Sequence, residues 1–243
     1  MLAFFTTRTP PPASASNRLR RSTAIAFRVS TVPAVSAAVI TLVASLCVIV
    51  APDTHAQERR VASPTGQSAT EIGAIFDERL GHVGGQWIDI RYGRPIKRGR
   101  NLFGLSDSAE ALNDGAPVWR AGANVSTQLT AELPIVIGDT TVAPGTYTVF
   151  IDLKQEPWTF ILSNWPAQVG YDYENTDALF GAFDYTADRD VVRTPMTRET
   201  LPWSLDQLAW QFLDVTDRGG HLAVMWDREM ASIAFAVGPS TTP

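Results

Sequence analysis

The chain has 243 residues, with 20 basic and 25 acidic side chains, a net charge of −5 and one cysteine. That balance disfavours nucleic acid and anionic lipid as partners of the folded surface. A single cysteine, Cys47, excludes an internal disulfide framework, so apolar burial must supply the stability.

Residues 1–56 read as an export signal. Arg8, Arg18, Arg20, Arg21 and Arg28 make the start basic, and residues 29–52 carry no charge. The stretch 32–51 is mostly Ala, Val, Leu and Ile, and Thr54 and Ala56 are small where a signal peptidase reads. If retained instead of cleaved, a run of about 20 apolar residues is long enough to serve as a membrane anchor helix. Both outcomes place the rest of the chain on the extracytoplasmic side, periplasmic or secreted, because the positive charge precedes the apolar run. Membrane contact is expected through this segment alone. Without it the chain holds 15 basic and 24 acidic residues, a charge of −9.

Residues 57–70 are polar and read as a tether, residues 71–238 as one domain, and residues 239–243 as a tail. Gln86-Trp87-Ile88-Asp89-Ile90-Arg91-Tyr92 alternates with period two, the mark of a half-buried strand. The stretches 126–133 and 135–137 are rich in strand formers. Pro144-Gly145 makes a turn before a strong strand over 146–151. Glu156-Pro157 separates that strand from another over 158–162, so the two predict a hairpin. Residues 191–196 suggest a further strand. The stretches 208–215, 221–226 and 232–237 suggest three more, and Asp217-Arg218-Gly219-Gly220 is a good hairpin turn because Gly supplies positive φ. The one helical candidate covers 106–112, capped by Ser106 or Asp107. Many short strands without a βαβ rhythm predict an all-β fold, an antiparallel β-sandwich preceded by a signal or anchor helix. The irregular stretch 165–188 holds Trp165, Tyr171, Tyr173, Phe180, Phe183 and Tyr185. Six aromatics are too many for a disordered loop, so the stretch either packs over the sandwich or walls a groove.

Two segments carry a more specific signal. One runs from Tyr92 through Arg94-Pro95-Ile96-Lys97-Arg98-Gly99-Arg100 to Phe103-Gly104, the other is Val118-Trp119-Arg120-Ala121-Gly122-Ala123-Asn124. Together they resemble the signature of a bacterial extracytoplasmic family labelled domain of unknown function twenty-nine-eleven. The similarity covers about residues 62–237, with further matches at Pro144-Gly145-Thr146-Tyr147, Trp158, Asn164, Tyr171, 190–196 and Trp226. The resemblance implies an extracytoplasmic domain and assigns it no reaction. The chain departs from the family pattern in a longer acidic link between Gly104 and Val118 and in an extended region over 174–188.

The signature residues support two readings. Arg94, Arg98, Arg100 and Arg120 offer forked guanidinium donors that match carboxylates, phosphates and sugar hydroxyls. With Trp119 as a stacking wall and Asn124 beside it, they would form an anion or carbohydrate pocket. Alternatively Arg120 or Arg94 pairs with Asp190 or another acid and bonds loop carbonyls, which would lock the crossings between sheets. Asn124 opens the sequon Asn124-Val125-Ser126 but reads better as a turn residue whose side chain bonds its own backbone. Trp87, Trp119, Trp158, Trp203, Trp210 and Trp226 read by default as core, and Trp165 as the exposed tryptophan.

His82 and His221 stand far apart and make no convincing metal site, so neither a metal nor a cofactor is expected. Elbow, zincin and P-loop motifs are absent. Three functions remain. The leading one is a non-enzymatic module binding a small anionic or glycan ligand. A glycan-directed hydrolase would need two carboxyl groups roughly 5–9 Å apart in a cleft. A purely structural envelope protein would need Arg94, Arg100 and Arg120 buried and paired, with no open pocket beside them.

Overall fold

A computed structural model describes residues 61–103, 112–113, 115–154 and 156–239. The expected signal or anchor, most of the predicted helix over 106–112 and the end of the tail lie outside these residues.

Twelve strands are present among the described residues: β1 (Thr65–Ile72), β2 (Ile75–Asp77), β3 (Gly81–Val83), β4 (Gln86–Gly93), β5 (Thr127–Ala131), β6 (Ile135–Ile137), β7 (Thr140–Val142), β8 (Gly145–Asp152), β9 (Thr159–Ser163), β10 (Asp190–Pro195), β11 (Thr197–Thr216) and β12 (Gly219–Val237). A six-stranded sheet has the order β1-β4-β5-β8-β9-β10, and a four-stranded sheet the order β11-β12-β6-β7. β2 and β3 form a separate small hairpin. Every strand pairing is antiparallel.

The fold is the expected all-β sandwich. Period-two alternation sends Ile88, Ile90 and Tyr92 of β4, Leu129 of β5, Val149 and Ile151 of β8, and Phe160 and Leu162 of β9 to one side. They meet Ile135 and Ile137 of β6, Leu208 and Trp210 of β11, and Leu222, Val224 and Trp226 of β12 in one continuous core. Each such side chain contributes about 1.5–3 kcal/mol on full burial.

β8 and β9 are buried on both faces. Phe150 and Ile161 point away from the main core and pack with Val118, Leu179, Ala182 and Tyr185. The aromatic stretch 165–188 thus lies over the outer face of the six-stranded sheet. This explains why Val149-Phe150-Ile151 and Phe160-Ile161-Leu162 are continuous apolar runs instead of alternating ones.

Four sequence expectations need correction. Residues 65–70, expected in the tether, belong to strand β1, which is paired along its length with β4. The three C-terminal strands are two, since β12 continues through 227–231. Inward residues are even-numbered up to Trp226 and odd-numbered from Ala231, and Asp227 at φ 55° absorbs the change. The pairing with β11 slips at the same point, between Thr200 and Leu205, as a bulge requires. Trp165 is half-buried, its indole N–H donating to Thr186 O at 2.9 Å and its ring covered by Arg189 at 3.8 Å. The exposed tryptophans are instead Trp87 and Trp203.

Candidate functional site

The two signature segments meet at one end of the sandwich and join its sheets. After β4 the chain leaves the six-stranded sheet and runs beside β11. Arg94 Nε donates to Leu208 O at 3.3 Å, Lys97 N to Asp206 O at 2.6 Å, and Leu208 N to Pro95 O at 3.1 Å. Trp119 pairs with Ile151 of β8 through both backbone groups, at 2.8 and 2.9 Å. Ala121 sits at φ 53°, an uncommon conformation for alanine. Its carbonyl accepts hydrogen bonds from Trp210 Nε1 at 2.9 Å and Thr127 Oγ1 at 3.1 Å, which hold it there. The segments touch at Gly93, where a Cβ would lie 1.9 Å from the Ala123 carbonyl oxygen. Only glycine permits that approach.

Among the described residues the candidate side chains are distributed over this join. Trp119 is 2% exposed and lies between Phe103 and Trp226, so its faces are occupied by protein. Arg100 is exposed, but Nε and Nη2 donate to Lys97 O and Ile96 O of its own turn, and its guanidinium rests over Trp226 at 5.8 Å. Arg98, at φ 53°, is exposed on the same turn. Asn124 is a left-handed turn residue at φ 63°. Its side chain donates to Ser63 O at 3.2 Å rather than to its own backbone, while its carbonyl accepts from Arg120 Nη1 at 2.9 Å. Neither Arg94 nor Arg120 is the hydrogen-bonded arginine of Asp190. That carboxylate accepts from Arg193 Nη1 at 2.9 Å and the Tyr185 hydroxyl at 2.5 Å.

Lys97, Ser204 and Asp227 form a cluster that spacing could not reveal. Lys97 Nζ and Ser204 Oγ both donate to Asp227 Oδ1, and Lys97 Nζ also lies 3.3 Å from Ser204 Oγ. Burial alone would raise the Asp227 carboxyl. The hydrogen bonds from Lys97 and Ser204, with the positive charges of Lys97 and Arg228, outweigh burial and hold it below the ordinary 3.8. A serine–lysine nucleophile requires a neutral amine close to the hydroxyl. Here the amine is salt-bridged and the hydroxyl donates to the carboxylate, so the cluster braces the β11–β12 bulge. Arg198 plays a similar part nearby, bridging Glu156 and Glu229 while covering the Trp158 ring at 4.1 Å.

An open hollow lies instead in the 165–188 layer. It encloses about 250 Å³ and is lined by Tyr171, Tyr173, Phe180 and Phe183 together with Asp172, Asn175 and Asp184. Gln168, 8% exposed, organises it. Its Nε2 lies 3.0, 2.8 and 2.9 Å from the carbonyls of Asp172, Asn175 and Ala178, and its Oε1 accepts from Asp172 N at 2.9 Å. Two amide hydrogens shared among three carbonyls close the loop into a ring. The layer is tied to the sheet by Ser126 Oγ, which donates to Gly181 O at 2.5 Å, and by Thr148 Oγ1, which donates to Trp165 O at 2.5 Å.

Arg120 connects the join to this layer. Its guanidinium lies 5.3 Å from the Phe183 ring, and a Cβ on Gly181 would sit 2.7 Å from its Nη1. The sequence flagged the six aromatics of the layer but not Gln168, which carries no local pattern. Among the described residues no three His, Cys, Asp or Glu side chains gather as a cation site.

Searches of curated proteins and of solved structures find no match. The model of a protein family of unknown function, DUF2911, matches residues 77–235, from the β2–β3 hairpin to the end of β12. The chain belongs to that family.

Proposed function

We propose that the protein is a non-enzymatic extracytoplasmic module that binds a small glycan in the hollow of the 165–188 layer. The observation behind this reading is the lining: four aromatic rings, with Tyr171 and Tyr173 largely exposed, set among carboxylate and amide groups. Exposed aromatics grouped around a hollow mark a binding surface more than a packing defect. Sugars present C–H faces that lie on the negative faces of aromatic rings, and hydroxyls that pair with carboxylates and amides. At about 250 Å³ the hollow lies just below the roughly 300 Å³ at which ligand clefts begin, so it suits no more than one sugar ring at a time. Asp172 and Asp184 in the lining disfavour an anionic ligand, so of the two ligand classes the glycan is retained. The extracytoplasmic placement rests on the basic, then apolar, N-terminal sequence.

The test is a thermal-shift and calorimetric screen of the protein against neutral mono- and oligosaccharides, with Tyr173→Ala beside it. A sugar at ~100 Kd stabilises by about 2.7 kcal/mol, a rise of several degrees for a domain of this size. The expected result is a saturable shift that disappears in Tyr173→Ala while its unliganded melting temperature stays close to that of the wild type. If no saccharide shifts the protein, the reading fails; if a bound saccharide is cleaved, the module is a hydrolase.

A further inference from the structure

Resting on the glycan reading of the hollow, we infer that the preferred ligand is an amino sugar carrying a free, protonated amine. Residues 168–184 contain four acids, Asp172, Glu174, Asp177 and Asp184, and no Lys, Arg or His. Asp172 and Asp184 line the hollow. Tyr171, Tyr173 and Phe180 add to this field, because the face of an aromatic ring attracts cations as well as C–H groups, while the Phe183 ring already packs against Arg120. The Arg120 guanidinium packs against Phe183 and bonds Asn124 O, and it is not among the lining groups. A neutral sugar would satisfy the rings but leave the carboxylates with only hydroxyl partners. An ammonium-bearing sugar satisfies both.

The loop that carries these acids is held in shape by its own hydrogen bonds. Gln168 draws three loop carbonyls toward one side-chain amide. Asp172 Oδ1 accepts from Glu174 N at 3.0 Å, which fixes the turn that carries Tyr173. Asp184 adopts φ 59°, a conformation that Asp and Asn tolerate better than most residues. Asp184→Asn therefore removes the charge while keeping the backbone preference, and Asp172→Asn keeps the turn acceptor.

The experiment is calorimetric titration of the protein with three matched oligosaccharides: one of glucosamine units, its N-acetylated counterpart and its glucose counterpart. The free-amine form should bind about tenfold more tightly than the acetylated form, the difference that one charge-assisted contact supplies. That preference should shrink as ionic strength rises from about 0.02 to about 0.5 M. It should also fall to about threefold or less in Asp184→Asn and in Asp172→Asn, each checked for an unchanged melting temperature, as loss of one of two carboxylates implies. Equal binding of the three sugars, or a preference for an uncharged one, overturns the amine assignment and leaves the glycan reading standing. Binding of tetramethylammonium with no binding of any sugar overturns both.

Discussion

Gly93→Ala tests whether the two signature segments lock the fold. The new Cβ would meet the Ala123 carbonyl oxygen at 1.9 Å and its carbonyl carbon at 2.8 Å, and tolerable contacts begin near 3.0 Å. The backbones would have to part by about 1.1 Å. Neither can move freely. Gly93 ends β4, which is paired on both sides by β1 and β5, and Arg94 N just beyond it donates to Pro64 O. The Ala123 loop is held at Ala121 by Trp210 and Thr127, and at Trp119 by both bonds to Ile151. Overpacking costs about 1–3 kcal/mol where side chains can adjust. With backbone on both sides the upper end applies, about 3 kcal/mol, and at 2–4 °C per kcal/mol the melting temperature should drop by about 6–12 °C. Gly170→Ala is the control. Nothing lies within 4 Å of its Cβ and its φ is not in the left-handed region, so its melting temperature should hold or rise slightly. Circular dichroism melts of the three proteins decide the matter. A Gly93→Ala protein that melts within 2 °C of the wild type would refute the lock.

Two further predictions concern pH. The Asp227 carboxyl is depressed in the folded protein, so its contribution is intact above the ordinary carboxylate value and is lost as pH falls through the folded value. Stability should therefore drop below about pH 4, and Lys97→Met, which removes the main partner, should flatten that drop; identical acid profiles for the two proteins would contradict the assignment. Tyr185 behaves in the opposite sense. Burial, then the hydrogen bond to Asp190 and its charge, raise the phenol above its ordinary 10.0 against the lowering effect of Arg193. Its contribution is full below pH 10 and is lost above it. Tyr185→Phe should be less stable than the wild type by about 1–3 kcal/mol at neutral pH, because the buried Asp190 carboxylate loses a donor. The gap should narrow between pH 9 and pH 11, and a constant gap in denaturant titrations would show that the phenol does not resist ionisation.

The parts of the fold that were legible in the sequence are those where burial is regular. β4 alternates because one face meets the core, while β8 and β9 are apolar throughout because the 165–188 layer covers their second face. β1 and the first half of β11 were not legible. Both are edge strands, held by backbone pairing on one side, and their sequences Thr65-Gly66-Gln67-Ser68 and Thr197-Arg198-Glu199-Thr200 have no apolar face to display. The run Asp227-Arg228-Glu229 imitates a turn because a bulge, like a turn, exposes polar residues and uses positive φ.

The site was harder to read for a different reason. Arg and Gly clusters attract attention because guanidinium groups are versatile donors, but donors near strained loops are consumed by the loops' own carbonyls. Arg94 and Arg100 illustrate this, with three guanidinium hydrogen bonds ending on backbone oxygens. In the glycan reading the binding groups are instead those left exposed by folding, Tyr171 and Tyr173 with the loop acids around Gln168. Gln168 could not be singled out, because its value lies in the carbonyls that the folded loop brings to it. Arg120 is where the two regions meet. It belongs to the signature by sequence, yet its guanidinium supports Gly181 and Phe183 at the rim of the hollow. The lock and the hollow are therefore not independent. The join fixes Arg120, Arg120 supports the Phe183 wall, and the rim residues Tyr171 and Tyr173 remain exposed, so they can vary with little cost to the core beneath them.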